Sequence, residues 1–364
     1  MSKLFSKLEL NNITLNNRIV VSPMCQYSAE DGFATDWHLV HLGQFAIGRS
    51  AAVMQEATAV QAIGRISYWD LGIWKDEHIY KFQQITSFIK SQGSIPGIQL
   101  AHAGRKASDN RPWEGRGQFP ADHANGWQTV APSPIPFLDN QQHPLALTVR
   151  EIETLVEDFK KAAERAVQAG YQIVEIHAAH GYLIHQFLSP LVNQRDDEYG
   201  GSFANRTRLL LEIVDAIKPV ASNISLWVRI SATDWAEHGW DLKQSIALAK
   251  ILKEKGVEMI DVSTGGAVHH QKIPLSQGYQ VPFSQEIKAQ SRLKTTAVGI
   301  ITSAKQAEEI LQSEKSDLVL IGRAFLDDPH LTYHFADQLN YSLDWAPQYG
   351  RAKGTINNAK ETEN

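Results

Sequence analysis

Eight short runs rich in Val, Ile, Leu and Ala recur along the chain, at residues 19–22, 52–57, 96–100, 173–177, 226–230, 259–262, 295–298 and 318–321. Between most of them lie longer stretches with helical spacing. A strand with one wet face alternates apolar and polar residues, whereas these runs are nearly continuous in apolar residues, as strands covered on both faces are. Strand–helix alternation of this kind is the signature of a parallel sheet. Eight is the number at which such a sheet closes on itself. The sequence therefore predicts an α/β fold, a single (β/α)8 barrel spanning residues 1–353. Its 364 residues exceed the ~250 typical of that fold and leave room for long connections.

The clearest helix has Ile152, Leu155, Val156, Phe159, Ala163, Ala166 and Val167 on one stripe. Thr148 with Glu151 three residues on forms a capping box at its start, and Gly170 closes it. Leu8–Leu10 and Ile13–Leu15, around Asn11-Asn12, read as a hairpin that lids the barrel floor. Two segments are long for a minimal barrel, 107–144 after the third strand and 181–208 after the fourth. The first is rich in Pro and Gly and carries Trp113 and Trp127; loops of that length are commonly functional. Residues 354–364 are expected to be a disordered polar tail.

The charge balance, 35 Lys+Arg against 40 Asp+Glu, has no basic block, so nucleic acid is not expected as a partner. A single cysteine, Cys25, excludes an internal disulfide framework, a cysteine-rich zinc site and a cysteine-ligated iron–sulfur cluster. A lone thiol suits a reducing compartment. There is neither a signal-type apolar run nor the ~20 apolar residues of a membrane span, so the expected location is the cytoplasm.

Barrel chemistry sits at the C-terminal ends of the strands. Polar residues collect there: Ser22-Pro23-Met24-Cys25-Gln26-Tyr27 after the first strand, Gln99 and His102 at the third, His177 to Tyr182 after the fourth, Arg229 at the fifth and Gly322-Arg323 at the eighth. Any one of these could be a satisfied core residue, but five strand ends carrying polar groups to one face exceed what packing requires. His177 and His180 could chelate zinc, although no third ligand is evident, or donate hydrogen bonds to one carbonyl or nitro oxygen. No Gly-x-Gly-x-x-Gly and no Walker loop occurs. Gly322-Arg323, opening a helix beside Gly299 at the end of the seventh strand, offers a different phosphate site and suggests a cofactor such as FMN.

These residues resemble the old yellow enzyme family. The resemblance runs from Leu4-Phe5 to about Arg351 and rests on Asn17 to Cys25, Gln99 to Lys106, His177 to Leu183, Asp197 to Ser202 and Asn205-Arg206. It is nearest to the bacterial subclass described as thermophilic-like or xenobiotic-reductase-A-like. It implies an NAD(P)H-dependent ene-reductase: hydride passes from NADPH or NADH through N5 of non-covalently bound FMN to a C=C bond activated by carbonyl or nitro, in ping-pong order. It implies that Ser22, Pro23, Met24, Cys25, Ala57, Gln99, Arg229, Gly322 and Arg323 bind FMN, together with Gly299 of the phosphate site. In that scheme Arg229 lies near the N1–O2 edge and Cys25 beside N5, where it tunes the redox potential without acting as a nucleophile. His177 and His180 hold the substrate oxygen, Tyr182 gives a proton to carbon, and Tyr27 lines the pocket. The subclass further implies a homodimer or dimer-built tetramer in which an arginine, here Arg351, reaches the neighbouring site, although the aromatic that usually follows is missing from Ala352-Lys353. Alternatives are another FMN barrel dehydrogenase, a metal-dependent barrel hydrolase, or a non-catalytic flavin-binding protein.

Overall fold

β1 (Leu8–Leu10) and β2 (Ile13–Leu15) pair antiparallel in the register Leu8↔Leu15 and Leu10↔Ile13, and all four of these side chains are buried. The alternation in Leu-Glu-Leu and Ile-Thr-Leu puts the apolar atoms on one face, which must be covered. What covers it is the barrel floor: Val20, Ala52, Met54, Ile173, Trp227, Met259, Leu318 and Leu320 form one apolar cluster with the hairpin. The computed structural model describes residues 2–115, 117–220 and 224–353. The expectation for residues 354–364 lies outside them.

The chain continues through β3 (Ile19–Val21), α1 (Asp36–Ile47), β4 (Ala52–Ala59), α2 (Ile79–Ser91) and β5 (Ile95–Ala101). An excursion holding the short strands β6 (Val130–Ala131) and β7 (Leu145–Ala146) precedes α3 (Val149–Gln168) and β8 (Ile173–Ala178). After β8 come α4 (Leu183–Leu188), α5 (Phe203–Ile217), β9 (Ser225–Ser231), α6 (Leu242–Glu254) and β10 (Met259–Ser263). The last part is α7 (Val281–Ser291), β11 (Lys294–Ala297), α8 (Ala304–Gln312), β12 (Leu318–Ile321), α9 (Arg323–Asp327) and α10 (Leu331–Gln338).

β3, β4, β5, β8, β9, β10, β11 and β12 close into a parallel barrel, β12 returning to β3 through Leu320↔Val20. This is the (β/α)8 fold expected from the eight apolar runs. Every residue of β3, β4, β8, β9, β10 and β12 is buried, which is why those runs show no alternation. α3 begins as the sequence predicts: Thr148 Oγ1 accepts the Glu151 amide at 3.3 Å and Glu151 Oε2 accepts the Thr148 amide at 2.8 Å.

The two long connections carry more structure than their composition suggests. In 107–144, Arg105 donates to the carbonyls of Ile135 and Pro136 at 3.0 and 3.1 Å, and Trp127 Nε1 donates to Ile63 O at 2.8 Å. In 181–208 the six residues of α4 are all buried, too short a run to reveal a helical stripe. α5 starts where Ser202 Oγ accepts the Asn205 amide at 3.2 Å. Among the described residues no helix is long and apolar enough to cross a membrane.

Candidate active site

The C-terminal mouth of the barrel gathers the polar strand ends. Ser22 stays in the β3 ladder, its amide donating to Ile321 O at 3.0 Å, while its hydroxyl accepts from an Arg229 guanidinium nitrogen at 3.4 Å. Gln99, on β5, donates its amide to Glu175 Oε1 on β8 at 2.7 Å, leaving its own carbonyl as the free end. A cavity of about 510 Å3 opens beside this layer, lined in part by Ser22, Met24, Gly299, Gly322 and Arg323. That volume lies within the usual range of cofactor pockets. Gly299 has φ +121, and a Cβ there would press on Gln280 at 3.1 Å, so glycine is required for the wall to take this shape. α9 is only five residues long and brings little dipole, so the positive charge at this end is the exposed Arg323 guanidinium.

A second group lies over β8. His177 is buried, and its Nδ1 accepts the Ala179 amide at 3.3 Å. Burial, reinforced by Arg229, holds its ring neutral, far below the usual histidine range. A neutral ring that accepts at Nδ1 carries its proton on Nε2, so His177 is a hydrogen-bond donor there. His180 is likewise neutral, chiefly through burial, and its Nε2 lies 2.7 Å from Ser263 Oγ. Nδ1 is the nitrogen it has left; it carries the proton when the Ser263 hydroxyl, which also lies 3.2 Å from Gln280 Oε1, turns to donate to Nε2. The two rings stand 5.1 Å apart and nearly perpendicular, with Tyr182 5.0 Å from His177.

The turn that brings these three side chains together depends on close backbone approach. His180 has φ +59 and Gly181 φ +73, and a Cβ on Gly181 would sit 1.9 Å from Gly266 O. His185 Nδ1 accepts the Gly181 amide at 2.8 Å, and its Nε2 is 2.8 Å from buried Asp234, which locks the turn. Burial is also the first cause of a Tyr182 phenol pK well above its usual value, with Cys25 and Asp70 adding to it. This phenol keeps its proton. Cys25 is pushed the same way, by burial and then by Asp70 and Glu56, and remains a thiol. Its sulfur interacts with the Ala57 amide of β4, and Pro23 precedes it in the same half-buried run. Tyr27 has φ +50 and meets Trp113 of the long excursion edge-on at 5.8 Å.

Two of the residues singled out in the sequence stand apart. His102 is buried, with Nδ1 accepting the Gly104 amide at 3.0 Å and Nε2 lacking a partner among the described residues. Arg351 is exposed in the 3-10 turn Pro347–Ala352 and does not line the 510 Å3 cavity. Residues absent from the sequence-derived site include Lys106, half-buried beside Tyr182 with Nζ donating to His180 O at 2.9 Å, and the buried carboxyls Glu56, Asp70, Glu175 and Asp261. The signal for Glu175 and Asp261 was present: each is a lone charge inside an otherwise apolar strand. Among the described residues no three His, Cys, Asp or Glu side chains come together as a metal ion would need, so His177 and His180 lack the third ligand of a zinc site.

A family model described as NADH:flavin oxidoreductase / NADH oxidase matches residues 3–342. The NADPH dehydrogenase of Listeria monocytogenes is 47% identical over 354 residues, covering 97% of this chain and 99% of its own length. The NADPH dehydrogenase of Bacillus licheniformis is 48% identical over 352 residues, covering 96% and 98%. Among solved structures, morphinone reductase superposes with a TM-score of 0.78 at 26% identity, over 95% of this chain and 92% of its own. A further morphinone reductase structure is a complex with tetrahydroNAD.

Proposed function

The chain belongs to the NADH:flavin oxidoreductase family, that of old yellow enzyme, and is an oxidoreductase of that type; from this premise we propose that it is an FMN-dependent NADPH dehydrogenase reducing C=C bonds activated by a carbonyl or nitro group. The observation that carries the reading is the cluster of His177, His180 and Tyr182, with His177 5.1 Å from His180 and 5.0 Å from Tyr182, at the same C-terminal end of the barrel as the cavity lined by Gly299, Gly322 and Arg323.

FMN suits the residues present. The cavity has room for it, a guanidinium stands at one end for the phosphate, and Gln99 and Arg229 offer an acceptor and donors for the polar edge of the ring. Ser22, Pro23, Met24, Cys25 and Ala57 would complete a non-covalent site with Gly299, Gly322 and Arg323. When bound, FMN would supply the hydride chemistry that links NADPH to the β-carbon of the alkene.

The chain's own residues do the rest. His177 Nε2–H and His180 hold the substrate oxygen and stabilise the negative charge that grows on it, an effect larger in the transition state than in the ground state. Tyr182 supplies the proton that completes the α-carbon. Tyr27 closes the pocket from the side of Trp113. Cys25 stays a thiol and acts on the flavin's potential. Arg351 of the partner subunit completes the site in a dimer or dimer-built tetramer. The single thiol fits a reducing cytoplasm.

The test is anaerobic. Heat-denatured protein should release FMN; NADPH should bleach the yellow holoenzyme, and a cyclic enone should restore the colour. Absence of flavin, or an enone that leaves the bleached enzyme unchanged, overturns the proposal.

A further inference from the structure

Inside the barrel two carboxyls face one cation. Glu175 of β8 and Asp261 of β10 are both 0% exposed and stand on either side of the Arg229 strand. Arg229 Nε lies 2.9 Å from Asp261 Oδ2, but its N–H is not aimed at that oxygen, so the contact is an ion pair and not a hydrogen bond. Asp261 Oδ1 accepts from Thr296 Oγ1 at 2.6 Å, and Glu175 Oε1 from Gln99 Nε2 at 2.7 Å. Each acid is left with one buried oxygen that no donor satisfies, Oε2 of Glu175 and Oδ2 of Asp261. The two carboxyls are within hydrogen-bonding reach of each other.

Two buried carboxylates against one guanidinium would leave a net negative charge in a dry interior, which is costly. One proton between them satisfies both orphaned oxygens and brings the trio to neutrality. We infer that Glu175 is a positioning residue: it shares a single proton with Asp261 and, through Arg229 and Gln99, sets the charge presented to the flavin. The inference rests on the FMN reading above.

Among the described residues, the other groups around the pair are uncharged or already engaged. From β5 the pair meets uncharged Gln99, from β11 Thr296, and along β8 the neutral His177. Glu56 of β4 is engaged by the Gln26 amide at 3.1 Å and faces His38, and Lys106 is bound to the His180 carbonyl. Burial and the neighbouring Asp261 raise the Glu175 carboxyl above the ordinary carboxylate range, opposed by Arg229 and Gln99. The proton is therefore held at neutral pH and lost in alkali. Flavin reduction by hydride adds two electrons and one proton, a net negative charge near Arg229. Above the pK of the pair, that charge draws one further proton from water onto Glu175, so two protons accompany two electrons.

The experiment is the two-electron midpoint potential of the FMN holoenzyme between about pH 6 and pH 10. One proton per two electrons changes the equilibrium constant tenfold per pH unit, about 30 mV, and two protons a hundredfold, about 60 mV. The wild type should change from the shallow to the steep slope on the alkaline side. Glu175→Gln keeps both hydrogen bonds but cannot titrate, so it should stay shallow in alkali. Asp261→Asn removes the neighbour that raises Glu175, and the steep limb should move toward acid pH. A carboxylic C=O band that vanishes in alkali from the infrared spectrum of the oxidised holoenzyme, and is missing in Glu175→Gln, reads the same proton directly. Identical slopes in wild type and Glu175→Gln, or an unmoved limb in Asp261→Asn, overturn the inference. If Glu175→Gln does not fold, the Asp261→Asn limb and the wild-type band decide it. A protein that binds no flavin would instead be a failure of the functional proposal, since it has no such potential to measure.

Discussion

Trp227 and Arg229 are two residues apart on β9, so both side chains leave the strand on the same side, yet they belong to opposite chemistries. Trp227 is packed among Leu8, Leu15, Val20, Ile173 and Met259 under the hairpin, its one polar atom donating to Ser225 Oγ at 2.8 Å. Arg229, one layer up, is held by Ser22 and by the ion pair with Asp261. The floor is apolar and closed, whereas the mouth holds the buried histidines His177 and His185 and several carboxyls whose burial is costly. Stability resides in the floor, whereas polar groups inside the mouth persist only when something other than packing requires them.

The largest expected effect lies at the floor. Trp227→Ala should cost about 3–5 kcal/mol in denaturant unfolding by opening a cavity, while any folded protein keeps its flavin and its rate. Loss of chemistry at unchanged stability would mean that the two ends are not separable. Next is the mouth. His177→Ala should slow re-oxidation by an enone roughly 10²–10³-fold, as loss of an oxyanion donor does elsewhere, with little change in unfolding midpoint. A large fall in midpoint would make His177 a packing residue after all.

Smaller still is the effect at Cys25. Because burial, Asp70 and Glu56 raise its pK, alkylation by iodoacetamide at about pH 8 should run at least about tenfold slower than for a free thiol. A rate equal to that of a free thiol would show a thiolate and remove it from a tuning role. The smallest belongs to the outer layer, far from both ends: Thr148→Ala should cost about 1 kcal/mol through the lost capping box of α3, with no effect on turnover.

How much of this was legible in the sequence follows the same division. The eight strands, the hairpin floor and the α3 cap could be read because apolar periodicity and capping are local signals. α4 could not, since six consecutive buried residues show no period. At the mouth, the His177–Tyr182 turn and Gly322-Arg323 stand out by composition, but the partners that set their protonation come from distant strands. Ser263 of β10 decides which nitrogen of His180 is free, and Asp234 fixes His185, 49 residues earlier. Glu175 and Asp261 were visible as charges inside apolar strands, but that they share a site depends on β9 lying between them. Pairing across a closed sheet is not a local property.

In the proposed mechanism the cluster after β8 divides its work, histidines holding the substrate oxygen and Tyr182 delivering the proton. Stopped-flow separation of the two half-reactions in Tyr182→Phe tests it most directly, since the ring's packing on His177 is kept and only the acid is removed. Flavin reduction by NADPH should be nearly unchanged, and a nitroalkene, whose nitronate product is stable, should still accept hydride at close to the wild-type rate. An enone, which needs the α-proton, should be slowed. Equal slowing of nitroalkene and enone would contradict the account and take Tyr182 out of the acid role.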